Sequence, residues 1–162
     1  MVFSETFTTE PINIDGFYGL HSYGRKTDGR PTGGVSCYLR PTQGNFKVVH
    51  KEEDVLTVRT DNITVVAVYI RPQATTEEVI ETIMASIADT SKDESIIIVG
   101  DINCRIDKNT KTEIVLEMLS EEGYILANSK EVPTYIAHNG TRAIDLLLYK
   151  GKNLRLIEEM GL

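Results

Sequence analysis

The sequence contains no tryptophan, two cysteines and three histidines in 162 residues. Each shortage excludes something. Two cysteines, Cys37 and Cys104, are too few for a disulfide framework or a closed zinc site. Each lies in or just after an apolar segment, so both are expected to be buried free thiols of a chain kept in a reducing compartment. No apolar run approaches the roughly 18 residues that a membrane span requires. The N-terminal stretch "MVFSETFTTEP" lacks a basic flank and a long apolar core, so it does not read as a secretory signal. The expected location is therefore intracellular, nuclear or cytoplasmic, without a membrane partner. Positive charge is also scarce: Lys and Arg total 17 against 24 for Asp and Glu, a net charge of −7. A protein that coats nucleic acid nonspecifically gains affinity from clustered cations, and this balance argues against one. It leaves room for an enzyme that meets phosphate locally.

What the chain does have is a run of short apolar segments separated by turn residues. From Gly33 onward, "GGVSCYLR", "NFKVVHK", "VLTVRT" and "NITVVAVYIRP" read as strands, the last two joined by a two-residue hairpin at Asp61-Asn62. Helical punctuation follows Pro72. Thr75 and Glu78 have capping-box spacing, and Val79, Ile80, Ile83, Met84 and Ile87 form one apolar stripe. Thr110 and Glu113 repeat the capping-box spacing before a second stripe of Ile114, Val115, Met118 and Leu119, with Gly123 at the expected helix stop. "YILAN", "PTYIAHNG" and "RAIDLLLY" read as further strands, the last two joined at Asn139-Gly140. Strands, helix, strand, helix, strands is the order of a two-sheet α/β sandwich with its helices outside, in one domain spanning 1–162.

The stretch "SIIIVGDINCRID" carries the chemical signal. Ile96 to Val99 are four consecutive aliphatics that lead into Asp101 and Asn103, two residues apart. Asp and Asn are common turn formers, because they bond their own backbone. They are also what an active site needs when a rigid strand holds it up. Asp145 is followed at once by Leu-Leu-Leu-Tyr, where an unpaired carboxylate would be costly. Glu5 in "FSETF" and Tyr69 in "VAVYIRP" stand in similar positions at strand ends.

"SET", "YIRP", "GDIN" and "AIDLLLY", in that order, resemble the endonuclease/exonuclease/phosphatase superfamily, and in particular the endonuclease domains of non-LTR retrotransposons. "GRPTGGVSCYLR" and "VPTYIAHNGTRAIDLLL" resemble the retrotransposon type, and the resemblance covers the chain from Phe3 to Tyr149. The resemblance implies a phosphodiesterase that hydrolyses nucleic acid, DNA in most of this group, in line and with Mg²⁺ or Mn²⁺. It makes Glu5 a metal-binding carboxylate and Tyr69 a phenol that contacts phosphate or manages a proton. Asp101 would activate water, Asn103 would bind the scissile phosphate, and Asp145 would orient a histidine. A hard cation with one or two carboxylates, an anionic base and a neutral amide donor form a coherent hydrolytic set. Arg71 and Arg105 flank these motifs, and Arg25, Lys26 and Arg30 sit in the glycine-rich "GRKTDGRP", so all five are candidate phosphate contacts, with a solvated loop as the equal alternative for the last three.

Two pieces of the family pattern are not found. The resemblance calls for an Asn-bearing strand upstream of Ser-Glu-Thr and a Ser-Asp-His strand beyond Ile-Asp, so relative to the family the chain is truncated at both ends. The three histidines, His21, His50 and His138, lie elsewhere, and His138 reads as a turn residue. The expectation is weak activity, exposed sheet edges and a homodimer or protein partner across them. The alternative is an inactive, repurposed scaffold that binds a protein or nucleic acid. The C-terminal "NLRLIEEMGL" has amphipathic spacing through Leu154, Leu156, Ile157 and Met160, suited to covering core or binding a partner.

Overall fold

The computed structural model describes residues 1–26, 29–90, 95–103, 110–128, 134–137, 140–142 and 144–151. Cys104, Arg105, His138, Asn139 and the 153–162 segment lie outside the described residues. The strands are β1 (Val2–Ser4), β2 (Tyr18–Ser22), β3 (Val35–Leu39), β4 (Phe46–Glu52), β5 (Val55–Thr60), β6 (Thr64–Tyr69), β7 (Ile96–Asp101), β8 (Ile125–Leu126), β9 (Tyr135–Ala137), β10 (Gly140–Arg142) and β11 (Asp145–Lys150). The helices are α1 (Thr76–Ile87) and α2 (Thr110–Glu121). Neither is long and apolar enough to cross a membrane.

A six-stranded sheet in the order β4-β5-β6-β7-β11-β8 faces a three-stranded sheet in the order β1-β3-β2. Strand periodicity explains how both faces of the large sheet are filled. Val66, Val68, Ile70, Ile96, Ile98, Leu146 and Leu148 point to the helix side and pack with Val79, Ile83, Val115 and Leu119. Leu56, Val58, Ala67 and Tyr69 point the other way and pack against Val35, Cys37 and Leu39 of β3. In β7, Ile96 and Ile98 belong to the helix-side core and the intervening Ile97 is buried as well. β6 and β7 are parallel, with α1 in the connection between them, and β11 returns antiparallel beside β7. The sandwich with outer helices is as the element order predicts. Cys37 is a buried free thiol.

Local chemistry sets the helix ends. The Thr75 side chain accepts the Glu78 N–H at 3.2 Å and the Glu78 carboxylate accepts the Thr75 N–H at 2.7 Å, the reciprocal capping box read from the sequence. At the end of α2 the Tyr124 N–H reaches the Leu119 carbonyl (2.9 Å) and the Gly123 N–H reaches that of Ser120 (2.9 Å), a Schellman closure. Thr110 is already within α2, so the residue that caps this helix falls outside the described range.

One strand is not foreseen from the sequence and one expectation needs correction. β2 is not singled out in the sequence, since "YGLHS" is too short a pattern to stand out; it forms by pairing with β3 along Tyr18 to Ser22. "RAIDLLLY" is not one strand: Gly140–Arg142 pairs with Tyr135–Ala137 as a separate hairpin, and the strand of the large sheet starts at Asp145. Thr134 causes the break. Its hydroxyl accepts the N–H groups of both Ile144 and Asp145 at 3.1 Å, which takes those donors away from any ladder.

Candidate active site

Sheet register builds the site. Tyr69 of β6 pairs with Asp101 of β7, and Asp101 pairs with Asp145 of β11. Partners in register point to the same face, so a phenol and two carboxyls stand side by side across three adjacent strands. This is the face towards the three-stranded sheet, whose β1 delivers Glu5 one residue past its end. Glu5 lies close enough to the Tyr69 hydroxyl for its carboxylate to raise the phenol's pKa. Four distant segments of the chain thus converge on one spot.

Gly100 shows how tightly the row is packed. It adopts φ 148°, and a Cβ there would run into the Val68 carbonyl of the neighbouring strand, so only glycine lets β7 approach β6 just before Asp101. The next two residues turn. The Asp101 Oδ1 accepts the Asn103 N–H at 2.7 Å, Asn103 adopts φ 48°, and its Nδ2 donates to the Ile70 carbonyl at 2.8 Å. The strand ends at Asp101, so a left-handed turn rather than strand pleating aims Asn103. Both readings of Gly-Asp-x-Asn hold at once, since Asp101 is a turn former and also a member of the polar row. One amide hydrogen of Asn103 is engaged by Ile70, and the amide has a second to offer.

Burial controls the electrostatics. Asp101 is 5% exposed. Desolvation pushes its carboxyl up to about 7, with the charges of Asp145 and Glu5 adding to the rise and the Asn103 N–H opposing it. Tyr69 is raised above its ordinary value, first by burial and then by the nearby Glu5 carboxylate and the charges of Asp101 and Asp54, so it remains a neutral phenol. Asn128 fixes the start of β11: its Nδ2 donates to the Asp145 carbonyl (3.0 Å) and its Oδ1 accepts the Leu147 N–H (2.8 Å). Asn128 and Thr134 were invisible as positioning residues in the sequence, because each works through backbone that only the fold brings near.

The donors available to a metal ion are oxygens only: Glu5, Asp101 and Asp145 beside Tyr69. Among the described residues no group of three or more His, Cys, Asp or Glu is close enough to hold a metal ion by itself. The set fits a hard cation that takes one or two carboxylates and completes its shell with water and phosphate. It does not fit a zinc cage.

The basic candidates are dispersed. Arg25 is held by Glu53 through Nε and Nη2 at 2.6–3.2 Å, which lowers the Glu53 carboxyl first through that bond. Arg25 also bridges to Thr32 by backbone, closing the basic loop that includes exposed Lys26. The Arg30 guanidinium lies 4.7 Å from the Phe7 ring centre. Arg71 is exposed, bears on Glu53 and Asp54, and lines a cleft of about 360 Å³ with Tyr69, Gln73 and Glu81. This cleft opens beside Tyr69, and Asp101 and Asn103 are not part of its wall. Asp54, which the sequence reading passed over, lies in that wall. It is the second residue of a two-residue turn between β4 and β5, and apolar patterning gives such a residue no prominence.

With this geometry in place, the model of the family described as endonuclease-reverse transcriptase matches residues 63–160. The chain belongs to that family. Among solved structures it is similar to the endonuclease domain of TRAS1, a telomere-specific non-LTR retrotransposon: TM-score 0.69, 16% identity, 88% of this chain and 68% of the other covered. It is also similar to an endonuclease/exonuclease/phosphatase family protein from Leptotrichia buccalis C-1013-b (TM-score 0.62, 13% identity, 84% and 60% covered). A third likeness is to endonuclease/exonuclease/phosphatase from Beutenbergia cavernae DSM 12333 (TM-score 0.55, 14% identity, 84% and 47% covered). The chain spans between 47% and 68% of these three structures. Among curated proteins none matches by sequence. At these identities the structures establish the endonuclease/exonuclease/phosphatase fold.

Proposed function

We propose that residues 1–162 form a single nuclease-type domain that hydrolyses phosphodiester bonds of nucleic acid, DNA by preference, with a divalent ion such as Mg²⁺ or Mn²⁺. The observation that carries this reading is the single row of Tyr69, Asp101 and Asp145 with the Glu5 carboxylate beside Tyr69. A buried carboxyl set beside two further carboxylates from distant segments is the kind of arrangement found where a site handles charge. A dependence on divalent metal is general in this superfamily, and the oxygen-only donor set agrees with it.

In this reading Asp101 takes a proton from water as the water oxygen bonds to phosphorus and the bond to the leaving oxygen breaks. A carboxyl with a pKa of about 7 is matched to that task at neutral pH. Tyr69 turns its one O–H from Glu5 to a phosphate oxygen, and the second amide hydrogen of Asn103 is donated to phosphate as well. Asp145 keeps negative charge beside Asp101 and so holds its basicity up. A hard cation held at Glu5 would supply neutralisation of the phosphate charge and of the leaving oxygen. Arg71, Lys26, Arg30, Arg25 and Arg105 would steer the flanking phosphates, which a chain of net charge −7 must do locally. The apolar side chains exposed on the edge strands, Phe3 on β1, Val48 on β4 and Ile125 on β8, would be the contacts with a second copy or a protein partner.

The test is nicking of supercoiled plasmid with Mg²⁺ or Mn²⁺, run beside Glu5→Ala, Asp101→Ala and an EDTA control. Cleavage abolished by both substitutions and by EDTA is expected. Well-folded protein that does not nick at high concentration would sink catalysis by this chain and favour the binding scaffold.

A further inference from the structure

A carboxylate that neither the row nor the metal ligand accounts for sits between the two sheets. Asp54 adopts φ 64°, a left-handed conformation that a side chain other than Gly or Asn rarely holds without a reason. It is 7% exposed, and its Oδ1 accepts the Gly34 N–H at 2.6 Å. Its own carbonyl accepts the N–H of Tyr69 at 2.9 Å. One residue therefore grips the strand end that carries the phenol by its backbone, and the opposite sheet by its side chain.

The grip continues to the metal-side carboxylate. Gly33 and Gly34 have φ 75° and 90°. A Cβ on Gly33 would collide with the Asp54 carboxyl, and one on Gly34 would lie 2.6 Å from the Thr6 hydroxyl. Both glycines are needed because Asp54 and Thr6 press against them from either side. The carbonyls of this pair then accept the N–H groups of Thr6 (3.1 Å) and Phe7 (2.9 Å), the two residues after Glu5. Glu5 and Phe7 are themselves left-handed, at φ 52° and 50°. β1 has only three residues, so these bonds are what hold the segment in place.

We infer that Asp54 is a positioning residue for the active site: through Gly33-Gly34 it fixes Glu5 opposite Tyr69 and so sets the distance between the metal-side and base-side halves. This rests on the metal-binding role proposed for Glu5, but the bond relay itself is a property of the fold. Asn keeps an acceptor at Oδ1 and tolerates the left-handed turn. Gly relieves the backbone and removes the acceptor. The pair Asp54→Asn and Asp54→Gly therefore separates the side-chain bond from backbone strain.

The experiment measures three things on wild type and both variants: thermal stability, amide hydrogen exchange by NMR, and Mn²⁺ affinity by titration. Asp54→Gly is expected to remain folded while exchange at the Thr6 and Phe7 amides accelerates about tenfold or more, the value of a charge-assisted bond. Amides inside β5, β6 and β7 should not change. Mn²⁺ affinity should fall by a similar factor, and Asp54→Asn should recover most of both losses. Unchanged exchange at Thr6 and Phe7 in Asp54→Gly overturns the relay, whether or not the wild type cuts DNA. Accelerated exchange with undiminished Mn²⁺ affinity overturns the link to the metal. A wild type that shows the relay but does not nick plasmid contradicts the proposed catalysis and leaves the relay standing.

Discussion

Two halves of the site are held by different means. The row of Tyr69, Asp101 and Asp145 belongs to β6, β7 and β11, interior strands of a six-stranded sheet with buried Ile98, Leu146 and Leu148 around them. Its geometry follows from strand pairing and would be costly to distort. Glu5 lies past a three-residue edge strand among left-handed residues, and a few hydrogen bonds position it. In the proposed mechanism the rigid half carries the base and the pliable half carries the metal-side carboxylate. A site divided in this way should fail in two distinguishable manners, through the rate on one side and through metal affinity on the other.

The largest expected effect comes from the rigid half. Asp101→Ala should lower the nicking rate at saturating metal by about 10²–10⁴-fold, the range for loss of a positioned base, with little change in half-saturating metal. Glu5→Gln should raise the half-saturating metal concentration more than it lowers the rate at saturation. Kinetics over a Mn²⁺ series on both variants would check this. Identical profiles for the two would erase the distinction. Stability gives the second contrast. Ile98→Ala, at 0% exposure beneath the row, should cost roughly 2–5 kcal/mol. Phe3→Ala on the pliable edge, at 45% exposure, should cost less than about 1 kcal/mol. Urea unfolding of both would break the comparison if the costs were alike.

The same division decides what could be read from the sequence. β5, β6, β7 and both helices are legible because burial imposes a period on their residues, and the polar row is legible because it ends apolar runs. Tyr69, Asp101, Asn103 and Asp145 stand out by that contrast, whereas Glu5 is singled out only through the resemblance carried by "SET". The pliable half has no such contrast. Asp54 looks like any acid in "KEED", β2 owes its existence to β3, and Asn128 acts on backbone seventeen to nineteen residues away. The basic loop was legible as charge alone. That Arg25 is committed to Glu53 is a fact of tertiary structure, since the two are 28 residues apart.

A further effect is thermodynamic and tests whether the row stores electrostatic cost for function. In metal-free protein the Asp101 carboxyl titrates near 7 against an ordinary value of 3.8, because burial and then Asp145 and Glu5 disfavour its charge. Between those two values the folded chain binds the proton that the unfolded chain has lost. Stability from this group is therefore fully present below pH ~4 and is lost as pH rises through about 7. Asp101→Asn carries no charge at any pH, and its Oδ1 can still accept the Asn103 N–H. In EDTA it should match the wild type near pH 4 and exceed it at pH 8 by on the order of 2 kcal/mol. That is less than the ~4 kcal/mol the full shift allows, because carboxyls of an acidic unfolded chain are also raised. Chemical denaturation from pH 4 to 8 would measure it. A slope that persists undiminished in Asp101→Asn would mean the cost lies elsewhere, and Asp145 would be the next carboxylate to neutralise. A slope that disappears together with nicking would mean that one buried proton site both strains the fold and drives the chemistry.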